Sequence, residues 1–343
     1  MDATERPTLI CVTPVKNEAW ILAKFLRCAA TWADHIVLAD QQSTDGTRQV
    51  TQGFDKVTLI DNTIPRYDEA GRQKLLLEAA RKLPLVRGTQ RRLILALDAD
   101  EFLTANYRTS PEWGTLLAAP PGTVICFQWV NVQPDFRGGW IPEVDYPLGF
   151  VDDGSAHGGS AIHNWRLPTP ANSPRIVCHD IKVLHYQYTD WQRMKSKHRW
   201  YQCWEVLNHP GKSMIDIFRQ YHHMYAIPEK QRVTLLPEWF KGYADFEIDI
   251  TSVEKSAGYY WDIQVAEWLA EHGPEKFARL DIWHLDYEEI YRQAKDGNPP
   301  RSLQDPRTAE QKQIIQWLRD TQATAASDAS VRQRDAELKA AGW

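Results

Sequence analysis

The aliphatic run Arg92-Leu93-Ile94-Leu95-Ala96-Leu97 ends at once in Asp98-Ala99-Asp100-Glu101. A short segment of that kind reads as a buried strand whose carboxyl end delivers acids to the rim of a sheet. Crowded carboxylates repel one another unless a positive charge sits between them, and a hard divalent cation is the usual answer. Mg²⁺ or Mn²⁺ accepts oxygen ligands, retains several waters and completes its shell with substrate phosphates. A bare Asp-x-Asp arises by chance about once in a chain this acidic, so its neighbours must carry the reading.

Two further strand ends carry polar groups. The first runs Thr13-Pro14-Val15-Lys16-Asn17-Glu18, the second Ala39-Asp40-Gln41-Gln42-Ser43-Thr44-Asp45-Gly46-Thr47. Helix capping and a relaxed turn account for Ser43, Thr44, Asp45 and Gly46. They do not account for Asp40, whose carboxylate could accept a hydrogen bond from a base N–H or a ribose hydroxyl. Farther on, His179 and His185 are six apart, which on an extended segment puts both on one face. Lys195 and Arg199 stand at helical i and i+4 spacing and could reach a diphosphate, or simply form an exposed basic face.

These residues need a scaffold. Residues 8–13, 35–39, 56–60 and 92–97 read as strands, alternating with helices over 18–32, 44–52 and 68–82. Such alternation implies a parallel sheet with helices on both faces, and ligands bind beyond the carboxyl ends of its strands. Residues 123–130 and 175–188 read as further strands, separated by a loop-rich stretch with Gly138-Gly139 and Gly158-Gly159. From Asp190 onward the pattern is helical, near 191–208, 212–226, 260–272 and 307–325, and the tail from about 321 is expected to fray or form a solvated helix. The expected division is a first domain over 1–188 and a helical region over 189–343.

Composition narrows the partners. At 343 residues with 43% hydrophobic and 25% charged, the chain suits a soluble globular protein. A net charge of −5 without a basic stripe argues against nucleic acid. No apolar run reaches the ~20 residues that span a bilayer, and Met1 to Pro7 lacks a signal-peptide core, so a cytoplasmic location is expected, with peripheral membrane contact left open. The five scattered cysteines, with no Cys-x-x-Cys pair, argue against a disulfide framework and a zinc site. Fifteen tryptophans offer indole faces for sugar rings, though most such residues serve a core.

The ordered set Pro14-x-x-Asn17-Glu18, Asp40-x-x-Ser43-Thr44-Asp45-Gly46-Thr47 and Asp98-Ala99-Asp100 resembles the nucleotide-sugar-binding half of family-2-like glycosyltransferases, over roughly the first third of the chain. The resemblance implies a GT-A-type, Rossmann-like α/β fold: a mostly parallel central sheet flanked by helices, here with a largely helical C-terminal extension. It implies hexosyl transfer from a nucleotide-sugar, UDP-linked by family tendency, to a carbohydrate or other hydroxyl acceptor, with inversion and with Mn²⁺ or Mg²⁺ as cofactor. In that family the acid matching Asp40 contacts the base, the one matching Asp98 faces the ribose or sugar, and the one matching Asp100 coordinates the metal. Arg72 and Lys74 match a helix that often touches the base, and His185 matches a downstream histidine ligand. Where the family often has Asp-Asp-Gly-Ser, this chain has Asp40-Gln41-Gln42-Ser43, so no role passes to position 41.

A glycosyl transfer also needs a base for the acceptor hydroxyl. Asp135, Glu143, Asp145, Asp152 and Asp153 are the candidates; Val151-Asp152-Asp153 resembles the family's x-Glu/Asp-Asp element and favours Asp153, with Asp152 beside it. Trp129, Trp140, Trp165, Trp191, Trp200 and Trp204 are candidate walls of the acceptor pocket. Two rival readings are a sugar-phosphate nucleotidyltransferase and a non-catalytic sugar- or nucleotide-binding module. The first would show a glycine-rich basic loop after the first strand, where this chain has Pro14-Val15-Lys16-Asn17-Glu18.

Overall fold

β1 (Thr8–Val15), α1 (Ala19–Ala30), β2 (His35–Asp40), α2 (Thr47–Thr51), β3 (Val57–Asp61), α3 (Glu69–Lys82) and β4 (Arg92–Ala96) follow one another in a computed structural model that describes residues 6–64, 68–86, 88–159, 165–256 and 258–343. β1 pairs in parallel with β2 and β4, and β2 with β3, so the alternation read from the sequence is present. Along β1 the side chains divide between two cores. Leu9 and Cys11 join the core under α1, with Ile21, Leu22 and Phe25; Ile10 and Val12 join the core under α3, with Leu76, Leu77 and Ala80. A strand apolar on both faces needs a helix on each, which is what the continuous run Leu9-Ile10-Cys11-Val12 encodes.

The remainder comprises β5 (Glu101–Leu103), α4 (Pro111–Ala118), β6 (Val124–Val132), β7 (Gly138–Trp140), β8 (Tyr146–Val151), β9 (Arg175–His185), α5 (Trp191–Asn208), α6 (Met214–Tyr221), β10 (Arg232–Thr234), α7 (Glu238–Ala244), α8 (Tyr260–His272), α9 (Tyr287–Lys295), α10 (Ala309–Asp320) and α11 (Ala329–Ala340). Strand order is β10-β7-β6-β8-β4-β1-β2-β3, with β9 between β6 and β5. The expectation of a mostly parallel sheet is corrected here. Outside β1–β4, only β6 with β9 is parallel among the described residues; β4 with β8, β6 with β8 and β7, β7 with β10, and β5 with β9 are antiparallel. The fold is therefore a mixed α/β sheet flanked by helices.

The loop-rich reading failed where glycine signals close strand approach. A Cβ on Gly139 would meet the Asn131 carbonyl oxygen at 2.6 Å, and one on Gly149 would meet Leu95 at 2.8 Å. These residues sit inside strands because nothing larger fits. Residues 160–164 of that stretch lie outside the described residues.

The chain divides into two units: residues up to Thr189 with Gln231–Lys255, and Asp190–Lys230 with Ser256–Trp343. The first boundary falls one residue from the expected one, but β10 and α7 return to the first unit. Tyr243 of α7 donates to the Leu103 carbonyl at 2.8 Å, and Tyr186 donates to that of Ile250. The second unit is helical. Its tail does not fray: Leu338 and Trp343 pack with Ile215, Phe218, Ile315 and Leu318, and Asp328 caps α11 from its side chain to Ser330 N at 2.8 Å. All five cysteines are free and buried. Among the described residues no helix is long and apolar enough to cross a membrane.

Candidate functional site

The two strand-end loops after β1 and β2 are tied into one knot. Asn17 takes a left-handed backbone, φ 56°, and its Oδ1 accepts from Thr44 N at 2.8 Å. The Ser43 hydroxyl accepts from Asn17 N at 2.9 Å, the Thr47 hydroxyl from Glu18 N at 2.8 Å, and Asp45 from Ala19 N at 3.0 Å. α1 has no cap of its own, so Asp45 of the neighbouring loop supplies one. Asn17, Glu18 and the Ser43–Thr47 segment are thus explained by mutual capping, with Pro14 inside β1 opposite Ala39.

Asp40 belongs to the same knot. Its carboxylate accepts from Arg48 at 2.7 Å and from Ser43 N at 3.2 Å, and the residue is 1% exposed. In this structure it holds the β2 loop through Arg48 and Ser43. Arg48 also reaches Asp61 at 2.7 Å. On α3, Arg72 is half-buried and lies 3.7 Å from Glu69, while Lys74 is exposed.

Asp98, Ala99 and Asp100 form the turn between β4 and β5, closed by Glu101 N donating to the Asp98 carbonyl at 3.0 Å. The counter-charge that the acids require is a guanidinium. Arg166 donates to Asp98 Oδ2 at 2.8 Å, to Glu101 Oε1 at 2.8 Å, to Glu101 Oε2, and to the Ala96 carbonyl at 3.2 Å. Glu101 is 0% exposed and also accepts from Asp98 N at 3.0 Å. Burial pushes its carboxyl up to about 7; Arg166 pulls the other way, and the charges of Asp98 and Asp100 add to the rise. Arg166, though buried, is held firmly protonated by the same acids. Asp98 Oδ1 is buried and has no hydrogen-bond partner. Arg166 was not singled out by sequence. The only available signal was the unanswered charge of three clustered acids.

Strand register brings His185 to this turn. Glu101 on β5 stands opposite His185 on β9, and Tyr186 N donates to the Asp100 carbonyl at 2.8 Å. His185 Nδ1 lies 2.8 Å from Asn131 Oδ1, an acceptor, so Nδ1 carries the proton and Nε2 the lone pair. The stated common face of His179 and His185 is corrected. Between Cys178 and Val183 the ladder with β6 slips, several β9 residues opposing one step, and His179 is exposed while His185 is buried. Beside His185 the Trp129 ring stacks on Tyr146 at 3.7 Å and 21° and lies 4.8 Å from the imidazole, with the Arg166 guanidinium 5.6 Å from it. Trp165, exposed, stands 6.5 Å from Tyr146. Trp140 is core, packed on Tyr188; Trp191, Trp200 and Trp204 belong to the helical unit.

Asp152 and Asp153 lie at the wrong edge of the sheet for a base acting here. Because β8 runs antiparallel to β4, Val151 pairs with Leu93, and Asp152 N donates to the Arg92 carbonyl at 2.9 Å. The length of β4, roughly 13 Å at 3.3 Å per residue step, separates them from the acidic turn. Asp152 is held by Arg81 at 2.7 Å, and Asp153 accepts from Ser155 N at 2.9 Å; hydrogen bonds from the Ser155 side chain and then its backbone lower the Asp153 pKa. Of the acids weighed from sequence, Glu143 and Asp145 precede β8 and therefore fall on the Asp98 side. Lys195 and Arg199 line a cavity within the helical unit, where Asp262 grips Arg199 at 2.7 Å.

Among the described residues no three His, Cys, Asp or Glu side chains converge as a complete metal cage. Asp98 keeps an unpartnered buried carboxylate oxygen, Asp100 is a second acid in the same turn, and Asn131 fixes the His185 tautomer; these are donor types that a hard cation accepts. No family model matches the chain, and no curated protein matches it. Among solved structures, the crystal structure of HddC from Yersinia pseudotuberculosis is similar at a TM-score of 0.30 and 8% identity, covering 54% of this chain and 96% of HddC.

Proposed function

We propose that this protein is a metal-dependent glycosyltransferase that moves a sugar from a UDP-linked donor to an acceptor hydroxyl with inversion. The observation that supports it most is the Asp98-Ala99-Asp100 turn, set beyond the carboxyl end of a parallel strand and beside His185 and the Trp129–Tyr146 stack. Asp98, Asp100 and His185 would hold Mn²⁺ or Mg²⁺. The bound cation supplies positive charge where the diphosphate leaving group gathers negative charge. Arg166 keeps Asp98 in place and neutralises Glu101, so the turn does not spring apart when no donor is bound. Asp145, exposed just before β8 on the Asp98 side, is the base we assign to the acceptor hydroxyl. A β1–α1 loop built from Asn17 and Glu18 rather than glycines speaks against nucleotidyl transfer. The test is to incubate the protein with UDP-sugars and Mn²⁺ and follow UDP release to water or acceptor. The proposal expects release that Asp100→Ala abolishes; full release in that variant removes the turn from the mechanism.

A further inference from the structure

The helical unit contains a cavity of its own, about 470 Å³, within the range of small-molecule sites. Phe218, Tyr221 and Tyr225 supply aromatic wall; Phe218 is itself stacked on His222 at 3.8 Å and 6°, and Tyr225, 51% exposed, on Trp191 at 5.8 Å and 14°. The charges lining it are unequal. Arg199 is matched by Asp262 through two bonds of 2.7 Å, and Arg319 is matched by Asp281 at 2.9 Å. Lys195, half-buried, makes no ion pair among the described residues and leaves the lining one positive charge in excess. Gln202 lines the same cavity and is 2% exposed, its Nε2 donating to the His198 carbonyl at 3.3 Å.

We propose that this cavity binds a small ring-bearing organic anion, its carboxylate or phosphate at Lys195 and its ring against the aromatic wall. The site is separate from the acidic turn and does not depend on the reading of that turn. The source of the ring, sugar or nucleobase, is decided by experiment. Isothermal titration of the full chain would use glucuronate, glucose 6-phosphate and uridine monophosphate, with glucose, uridine and inorganic phosphate as controls. At least one ring-bearing anion is expected to bind at least 10-fold more tightly than the matching neutral ring and than phosphate. Lys195→Gln should weaken it about 10-fold, and Tyr225→Ala should weaken it several-fold. Tyr225 is exposed, so its truncation leaves the fold in place. Asp100→Ala should leave this binding unchanged; loss there would assign the signal to the acidic turn and overturn the proposal. So would equal affinity for neutral and anionic rings, or binding indifferent to Lys195 and Tyr225.

Discussion

Arg166→Met withdraws the guanidinium from between Asp98 and Glu101. In the native protein the buried Glu101 carboxyl titrates at about 7, whereas an unfolded Glu titrates near ~4.3. Between those values the folded chain binds the proton more tightly, so stability falls as pH rises through the window and levels off above it. Without Arg166 the carboxyl rises further, and the window of falling stability extends upward. At pH 6 the variant loses chiefly hydrogen bonds, roughly 1–3 kcal/mol. At pH 8.5 a buried carboxylate is left without its partner, and the loss grows to about 3–5 kcal/mol. Each pH unit of extended window contributes about 1.4 kcal/mol. Urea unfolding followed by circular dichroism at the two pH values measures the difference. Adding Glu101→Gln to Arg166→Met should recover part of the loss at pH 8.5, since the lone charge is gone. A loss identical at both pH values, or a double variant no more stable than the single, would refute the account of Arg166 as counter-charge.

Asn131→Ala frees the His185 ring and should weaken Mn²⁺ binding in the presence of UDP by about 10–100-fold, read by calorimetry; an unchanged titration returns Asn131 to a packing role. Asp145→Ala should slow UDP release about 10²–10⁴-fold, while Asp153→Ala, at the far edge of β4, should leave it within a factor of two or so; the reverse pattern would reinstate Asp153. Asn17→Ala should cost about 1–2 kcal/mol, having lost a cap in a left-handed backbone, and Asn17→Gly distinctly less; equal melting temperatures for the two would contradict the knot. Burial lowers His198 to about 3, and burial with the Arg199 charge lowers His284 to about 4. The unfolded chain takes up those protons first, so the contribution of these two groups holds above about pH 6.5 and falls as pH drops toward 4, by up to ~2.7 kcal/mol per pH unit, outweighing the opposite contribution of Glu101 of at most ~1.4 kcal/mol per unit. Melting temperatures at pH 7.5 and 5 measure it, and equality between them would sink the assignment.

By itself the sequence determined the parallel β1–β4 core, because a strand apolar on both faces, such as Leu9-Ile10-Cys11-Val12, has no stable place except between two helix layers. It also determined the acidic turn at the end of β4, since Asp98 and Asp100 follow the last buried residue directly. Long-range neighbours decided the rest. That Asp40 is held by an arginine depended on Arg48 in the next helix, and that Asp98 and Glu101 share a guanidinium depended on Arg166, more than sixty residues on. Gly139 looked like a loop residue because close approach of strands is invisible until the partner strand is in place. The slip in β9 separated His179 from His185, and the antiparallel entry of β8 sent Asp152 and Asp153 to one edge of the sheet and Asp145 to the other. Residue type and spacing encode what a segment can do locally; strand direction and register, set by packing over the whole sheet, choose which groups meet.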